Sequence, residues 1–228
     1  MIDFEVLCVK VKYLDTCIIH CFLEKLFKSN YLDSFMRVIA GQAKGTRLTE
    51  FKDSQVRPTL DQVKETLFNI LGYNLSGEYF LDLFGGSGAI GIEALSRGAE
   101  KVIWVENNHQ SQKLIYANLE KCRFWNGGNE SSYTKWKLLK MDALQAVSVL
   151  EKSCLTFDVV YVDPPFAKNL YNEYLNVLSG SQLLKASTLV VVEHNKKNSL
   201  EKIYGKLFLV DQRILGGTTL SFYRLRNV

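Results

Sequence analysis

The chain has 228 residues, 47% hydrophobic, 12% aromatic and 23% charged, with a formal net charge of +4. These proportions exclude disordered, collagenous and coiled-coil chains, and a chain of this length buries roughly 70% of its unfolded surface in one core without covalent staples. No apolar run approaches the ~18 residues that a membrane-spanning helix needs, and the mildly basic balance permits a polyanionic partner.

Five cysteines, Cys8, Cys17, Cys21, Cys122 and Cys154, form no CxxC pair. They indicate neither a zinc site nor a disulfide framework, so they read as small buried hydrophobes in a reducing, cytoplasmic setting. Residues 1–35 lack the basic, apolar and small-residue succession of a signal peptide and read as an N-terminal extension. Met36 opens the segment MRVIAGQAKGTRL, which reads as the start of a domain. Residues 36–56 carry Arg37, Lys44 and Arg47 around Gly41 and Gly45, a basic β-hairpin that is either solvated or set against RNA phosphates.

From residue 57 to residue 228 the apolar period alternates between helix and strand. Val63, Leu67, Ile70 and Leu71 define an amphipathic helix, with Thr59 as N-cap and Gln62 completing a capping box. The run YFLDLF (79–84) is a strand stopped by glycines, and 89–98 is a helix ending at Gly98. A strand over 101–106 and a helix over 109–121 follow, then a polar surface loop over 122–133. A third strand runs toward Asp142 and a short helix, a fourth covers 157–166, and a helix covers 170–178. The fifth strand spans 187–193, and two more form a hairpin around Gly216 and Gly217. Strands alternating with helices imply an α/β fold with a mostly parallel sheet and an antiparallel C-terminal hairpin at one edge.

Residues Gly86 to Gly91 satisfy G-x-G-x-x-G between a strand and a helix. That spacing fits a dinucleotide pyrophosphate, or a tight turn that holds no ligand. The acidic residues around it favour a third reading, S-adenosylmethionine, which carries an ammonium, a sulfonium and a ribose diol. Asp82 supplies a charge partner for the ammonium, and Glu106 accepts from the ribose hydroxyls. Asp142 and the Ala143 N–H meet the adenine edge.

Asp163-Pro164-Pro165-Phe166 closes the fourth strand. Two prolines after an aspartate end a strand efficiently on structural grounds alone. The same turn also suits amine methylation, because the lone pair of a nucleobase amine is delocalised into the ring. A carboxylate and a proline carbonyl, both acceptors, hold the two N–H bonds and free that lone pair to attack. Phe166 stacks on the base. No Pro-Cys pair offers the thiolate of carbon-5 pyrimidine methylation, and His20, His109 and His194 have no metal-ligand company.

Over residues 36–228 the chain resembles the bacterial 16S ribosomal RNA (guanine-N2) methyltransferases, through MRVIAGQAKGTRL, RPTLDQVKETLFNIL, DLFGGSGAIGIEALSRGA, VIWVE, MDA and VDPPF in order. The resemblance implies a seven-stranded, Rossmann-like class I methyltransferase fold with S-adenosylmethionine as cofactor. It implies 16S ribosomal RNA, within an assembled small-subunit particle, as the partner of a monomeric enzyme that needs no metal. Asp82, Phe84, Gly85, Ser87, Gly88, Glu106 and Asp142 would then line the cofactor, and Asp163, Pro164 and Phe166 the base. Arg57 would contact RNA or shape the pocket. Two other enzymatic readings share these residues, an adenine-N6 methylase of DNA and an NAD-dependent oxidoreductase using the glycine loop. A catalytically dead RNA-binding protein is the non-enzymatic alternative.

Overall fold

The computed structural model describes residues 36–50, 58–130, 133–165 and 170–226, with residues 58–60 described by their backbone alone. The extension over 1–35, Arg57 and Phe166 lie outside the described residues.

Helix α1 spans Pro58–Leu71. A proline's fixed φ suits the first turn of a helix, so Thr59 sits inside that turn and does not cap it. The elements that follow are β1 (Tyr79–Asp82), α2 (Ala89–Ser96), β2 (Lys101–Val105), α3 (His109–Lys121), β3 (Trp136–Leu139), α4 (Ala143–Glu151), β4 (Phe157–Val162) and α5 (Leu170–Gly180). The chain ends in β5 (Leu184–Asn195), β6 (Ile203–Tyr204), β7 (Leu207–Leu215) and β8 (Thr218–Leu225). All lie in one sheet of order β3-β2-β1-β4-β5-β8-β7-β6. The first five strands are parallel, and β8 joins antiparallel to both β5 and β7. Seven strands were expected and eight are present among the described residues. The additional β6 has two residues, too few to leave a period-2 signal in the sequence.

Alternation along each strand divides the core. Phe80, Trp104, Tyr161, Val191 and Phe222 meet α1, α2 and α3 through Leu67, Phe68, Ile92, Ile115 and Leu119. On the other face Leu81, Ile103, Val160, Val162 and Val190 meet α4 and α5 through Val147, Leu150, Leu175 and Leu178. Helices on both faces explain why the central strands read as unbroken apolar runs. The chain direction across the sheet reverses between β1 and β4, and open α/β sheets place ligands beyond the strand ends at such a switch point.

The loop expected to be polar over 122–133 carries Phe124, Trp125 and Tyr133, each partly buried against the core, with Tyr133 and Trp125 ringing Trp136 at 5.6 and 6.5 Å. Apolar rings at irregular spacing escape a periodicity test. Cys122 is buried as expected, but Cys154 is exposed, because it follows α4 in a surface turn with φ +54°.

Gly91, the third glycine of the motif, lies inside α2 directly over the indole of Trp104, where a Cβ would fall within the ring's van der Waals envelope. Alanine is the better helix former by about 1 kcal/mol, but overpacking a rigid, fully buried ring costs about 1–3 kcal/mol. Gly91→Ala should therefore lower the urea midpoint of unfolding, and an unchanged or raised midpoint would mean that Trp104 yields freely.

Candidate active site

Parallel strands finish on one side, so the acidic residues at the ends of β1, β2, β3 and β4 are delivered to the same rim of the sheet. The turn after β1 is built by backbone contacts. The Gly85 N–H donates to the Val105 carbonyl at 2.9 Å, and the Gly88 N–H to the Gly85 carbonyl at 2.6 Å. Gly86 and Gly88 have φ of +51° and +80°, the left-handed region that glycine enters without penalty. A Cβ on Gly86 would find only the Phe84 carbonyl, at 3.9 Å, so the crest of the turn faces open space.

Two carboxylates hold this turn. Glu106, just past β2, accepts from the Gly86 N–H at 2.8 Å and the Asn108 N–H at 2.7 Å. Asp82 lies under the turn at 1% exposure and accepts from the Phe84 N–H at 3.3 Å. Burial pushes the Asp82 carboxyl up to about 7; the Phe84 and Gly91 N–H groups oppose that rise, while Glu106 and Glu193 add to it. Phe84 packs edge-on against Tyr174 with centroids 4.9 Å apart. Asp142 is the N-cap of α4 and accepts from the Leu144 N–H at 2.8 Å, with Ala143 buried as the helix's first residue.

Asp163 stands one residue past the end of β4. Val162 pairs with Val192, so Asp163 and Glu193 follow at matching positions on adjacent strands. Asp163 is exposed as a residue, whereas Pro164 is buried. Desolvation by the protein packed around its carboxyl, then the charges of Glu193 and Asp82, raise that carboxyl well above the usual carboxylate range, an effect its solvent access moderates. The buried Tyr161 hydroxyl donates to Glu193 Oε2. Glu193 and Tyr161 were not anticipated, since a glutamate closing an apolar strand looks like an ordinary solvated terminus.

The basic segment is a compact pairing. An antiparallel bridge joins Arg37 to Arg47, and the Val38 N–H donates to the Thr46 carbonyl at 3.0 Å. Arg37, Lys44 and Arg47 are all exposed, with Arg37 Nε 3.9 Å from Asp61. Its inner side docks on α2 through polar groups. The buried Glu93 carboxylate accepts from the Ile39 and Ala40 N–H groups at 2.7 and 2.9 Å and from Arg97 Nε at 2.9 Å. The Ser96 hydroxyl donates to the Ala40 carbonyl and accepts from the Ala43 N–H at 3.0 Å. Gly41, with φ +82°, passes so close to the Ser96 carbonyl that no Cβ fits. Lys64, fully buried, donates to the Arg37 carbonyl and lies 3.6 Å from Asp61. Polar residues on a buried helix face were the available signal for Glu93 and Ser96.

His194 is a satisfied core histidine, with Nε2 2.8 Å from Ser221 Oγ and Nδ1 3.0 Å from the Asn195 carbonyl. His109 is exposed, and His20 lies outside the described residues. Among the described residues no group of three or more His, Cys, Asp or Glu is arranged to hold a metal ion, and no helix is long and apolar enough to cross a membrane.

A parallel sheet of this order, closed by an antiparallel hairpin and carrying a glycine turn at the switch point, is the class I fold of the S-adenosylmethionine-dependent methyltransferases. The chain belongs to the family described as Conserved hypothetical protein 95, which matches residues 36–224. It is 31% identical over 192 residues to the "Putative rRNA methyltransferase YlbH" of Bacillus subtilis, covering 84% of this chain and 100% of that protein. It is 31% identical over 189 residues to the Escherichia coli K12 "Ribosomal RNA small subunit methyltransferase D", covering 83% and 89%. Among solved structures, "Putative methyltransferase yhhF from Escherichia coli" superposes with a TM-score of 0.69 at 28% identity, over 85% of this chain and 99% of that one. The family resemblance carried by the motifs therefore holds.

Asp82 makes stability depend on pH in a definite sense. Its folded-state value lies above the ordinary one, so its contribution is fully present below about pH 4, is lost progressively as pH rises to about 7, and is level above that. Asp82→Asn removes this dependence. Denaturant unfolding at pH 5 and pH 8 should show a smaller loss of stability for the variant than for the parent, by of the order of a few kcal/mol; equal losses would contradict the assignment.

Proposed function

We propose that this chain transfers a methyl group from S-adenosylmethionine to the exocyclic N2 amine of a guanine in 16S ribosomal RNA. The observation that carries the reading is the adjacency of two turns at the switch point, the glycine turn after β1 and the Asp163-Pro164 turn after β4, on a chain whose relatives bear ribosomal RNA methyltransferase names.

The residues of the turn suit the cofactor. The open crest at Gly86 admits a ligand to the backbone, and the surrounding carboxylates suit one that is cationic. Glu106, half-buried at the end of β2, would bind the ribose hydroxyls. Asp82 would act on the ammonium through its field, and Asp142 with the Ala143 N–H would meet the adenine. Phe84, Gly85, Ser87 and Gly88 complete the cradle. The bound cofactor supplies an electrophilic methyl group on a sulfonium.

The chain's own residues prepare the amine. Asp163 accepts one N–H and the Pro164 carbonyl the other, which draws the nitrogen out of conjugation and aims its lone pair. Asp163 then takes the proton that the methylated nitrogen gives up, a task for which a carboxyl with a raised proton affinity is suited. Phe166 would stack on the base. Arg37, Lys44 and Arg47, with Arg57, would meet RNA phosphates, and the target would be presented within the small-subunit particle to a monomeric, cytoplasmic enzyme. Residues 36–56 would form the RNA-contacting unit and residues 57–228 the catalytic domain.

Incubation with S-adenosylmethionine and unmodified small subunits, followed by nucleoside mass spectrometry, should yield N2-methylguanosine. Methylated adenine, or methylation of DNA alone, would overturn the guanine assignment. Asp163→Ala should lower turnover at least about 100-fold while leaving cofactor affinity within a few-fold, and retained turnover would reject its role. Replacing Arg37, Lys44 and Arg47 by glutamine should weaken RNA binding and flatten its dependence on salt by about 0.7–0.9 in log–log slope per lost phosphate contact. Unchanged binding would move the RNA surface elsewhere.

A further inference from the structure

Asn118 lies on the buried face of α3 with no exposed surface, in the stripe formed by Ile115 and Leu119. Its carboxamide reaches two separate parts of the molecule. Nδ2 donates to the Thr49 carbonyl at 3.0 Å and to the Ser87 carbonyl at 2.9 Å, while Oδ1 accepts from the Thr49 N–H at 2.6 Å. Thr49 lies next to the last described residue of the basic segment, and Ser87 is in the glycine turn. A second contact runs in parallel, since Ser87 Oγ lies 3.5 Å from Met36 Sδ, and Met36 is paired to Leu48 through its carbonyl at 2.8 Å.

A buried amide nitrogen has two hydrogens, and both are committed here to carbonyls on different segments. Neither carbonyl can shift without loosening a hydrogen bond from a fully buried side chain, whose unmade bond costs more than one at the surface. The turn and the basic segment are therefore tied through the Asn118 carboxamide, with the Ser87–Met36 contact beside it.

We propose that Asn118 is a positioning residue that couples cofactor binding at the glycine turn to RNA binding at residues 36–50. The inference rests on the reading given under Proposed function. Fixing Ser87 for the cofactor fixes Thr49 and the strand carrying Arg47, and RNA on that strand returns the effect to Ser87. The two affinities must then reinforce each other by the same factor.

The test is calorimetric titration of the full chain with S-adenosylmethionine, alone and saturated with small subunits whose 16S ribosomal RNA is unmethylated. For the parent protein, RNA should tighten cofactor binding by about 5-fold or more. Asn118→Asp, equal in shape but with two donors replaced by an acceptor, should weaken cofactor binding by about 10-fold and abolish the RNA-dependent gain. Hydrogen exchange of the Thr49 N–H, from which Asn118 Oδ1 accepts at 2.6 Å, keeps the question open to measurement if Asn118→Asp fails to fold: in the parent protein S-adenosylmethionine alone should slow that exchange several-fold. A parent protein that binds the cofactor equally with and without small subunits overturns the coupling, as does a full gain in Asn118→Asp or a Thr49 exchange rate that the cofactor leaves unchanged. A parent protein that binds no cofactor overturns the underlying functional reading instead.

Discussion

All five parallel strands discharge their chains on one side of the sheet, and the sequence places a carboxylate within three residues of the end of each. Asp82, Glu106, Asp142, Asp163 and Glu193 follow from that single constraint. A parallel sheet buried on both faces can carry ionisable groups only at its rim, and the rim at the reversal of strand order is where a ligand has room. The cost shows in the raised proton affinities of Asp82 and Asp163, whose charged forms are disfavoured by desolvation and by neighbouring carboxylates, Glu106 and Glu193 for Asp82 and Glu193 and Asp82 for Asp163. Such an arrangement is expensive in a resting fold and useful in one that receives a cation.

The basic segment obeys a different rule. A stretch with little secondary structure of its own must satisfy its backbone against something, and it does so on side chains of α2 and α3. Glu93 takes two consecutive N–H groups, Ser96 a carbonyl and an N–H, and Asn118 both groups of Thr49. The outward side of the same segment is left to Arg37, Lys44 and Arg47. Sequence thus divides one short segment into an inner edge that reads α2 and α3 and an outer edge that presents positive charge, beside the turn at the switch point.

The parts of this design visible in the sequence are those with local signatures. Alternating apolar periods mark the helices and the central strands, and a glycine run and a Pro-Pro step mark the two turns. What escaped was set by contacts between residues far apart in the chain. Glu93 and Asn118 meet partners more than fifty residues away, and only their polarity on a buried face hints at a task. The pairing of Tyr161 with Glu193 depends on the register of β4 against β5, which no single strand encodes. Thr59 was misplaced because both it and Pro58 favour helix starts, and proline took the first position. The third glycine of the motif, marked in the sequence only by its spacing, is a packing requirement of Trp104. The aromatic residues over 122–133 were hidden by the polar residues between them.

The same carboxylates bear on how a proton would leave the reaction. Two unit charges about 4 Å apart at an effective dielectric constant near 20 interact by about 4 kcal/mol, so a cation beside Asp82 and Asp163 would pull their proton affinities back toward ordinary values. Asp163 would then meet the amine as a carboxylate, able to accept. On the proposed reading, methyl transfer would move the positive charge to the base nitrogen, and because a protonated ring amine is a much stronger acid than a carboxylic acid, its proton would pass to Asp163. The carboxylates around the switch point would thus suit Asp163 to accept a hydrogen bond before transfer and a proton after it.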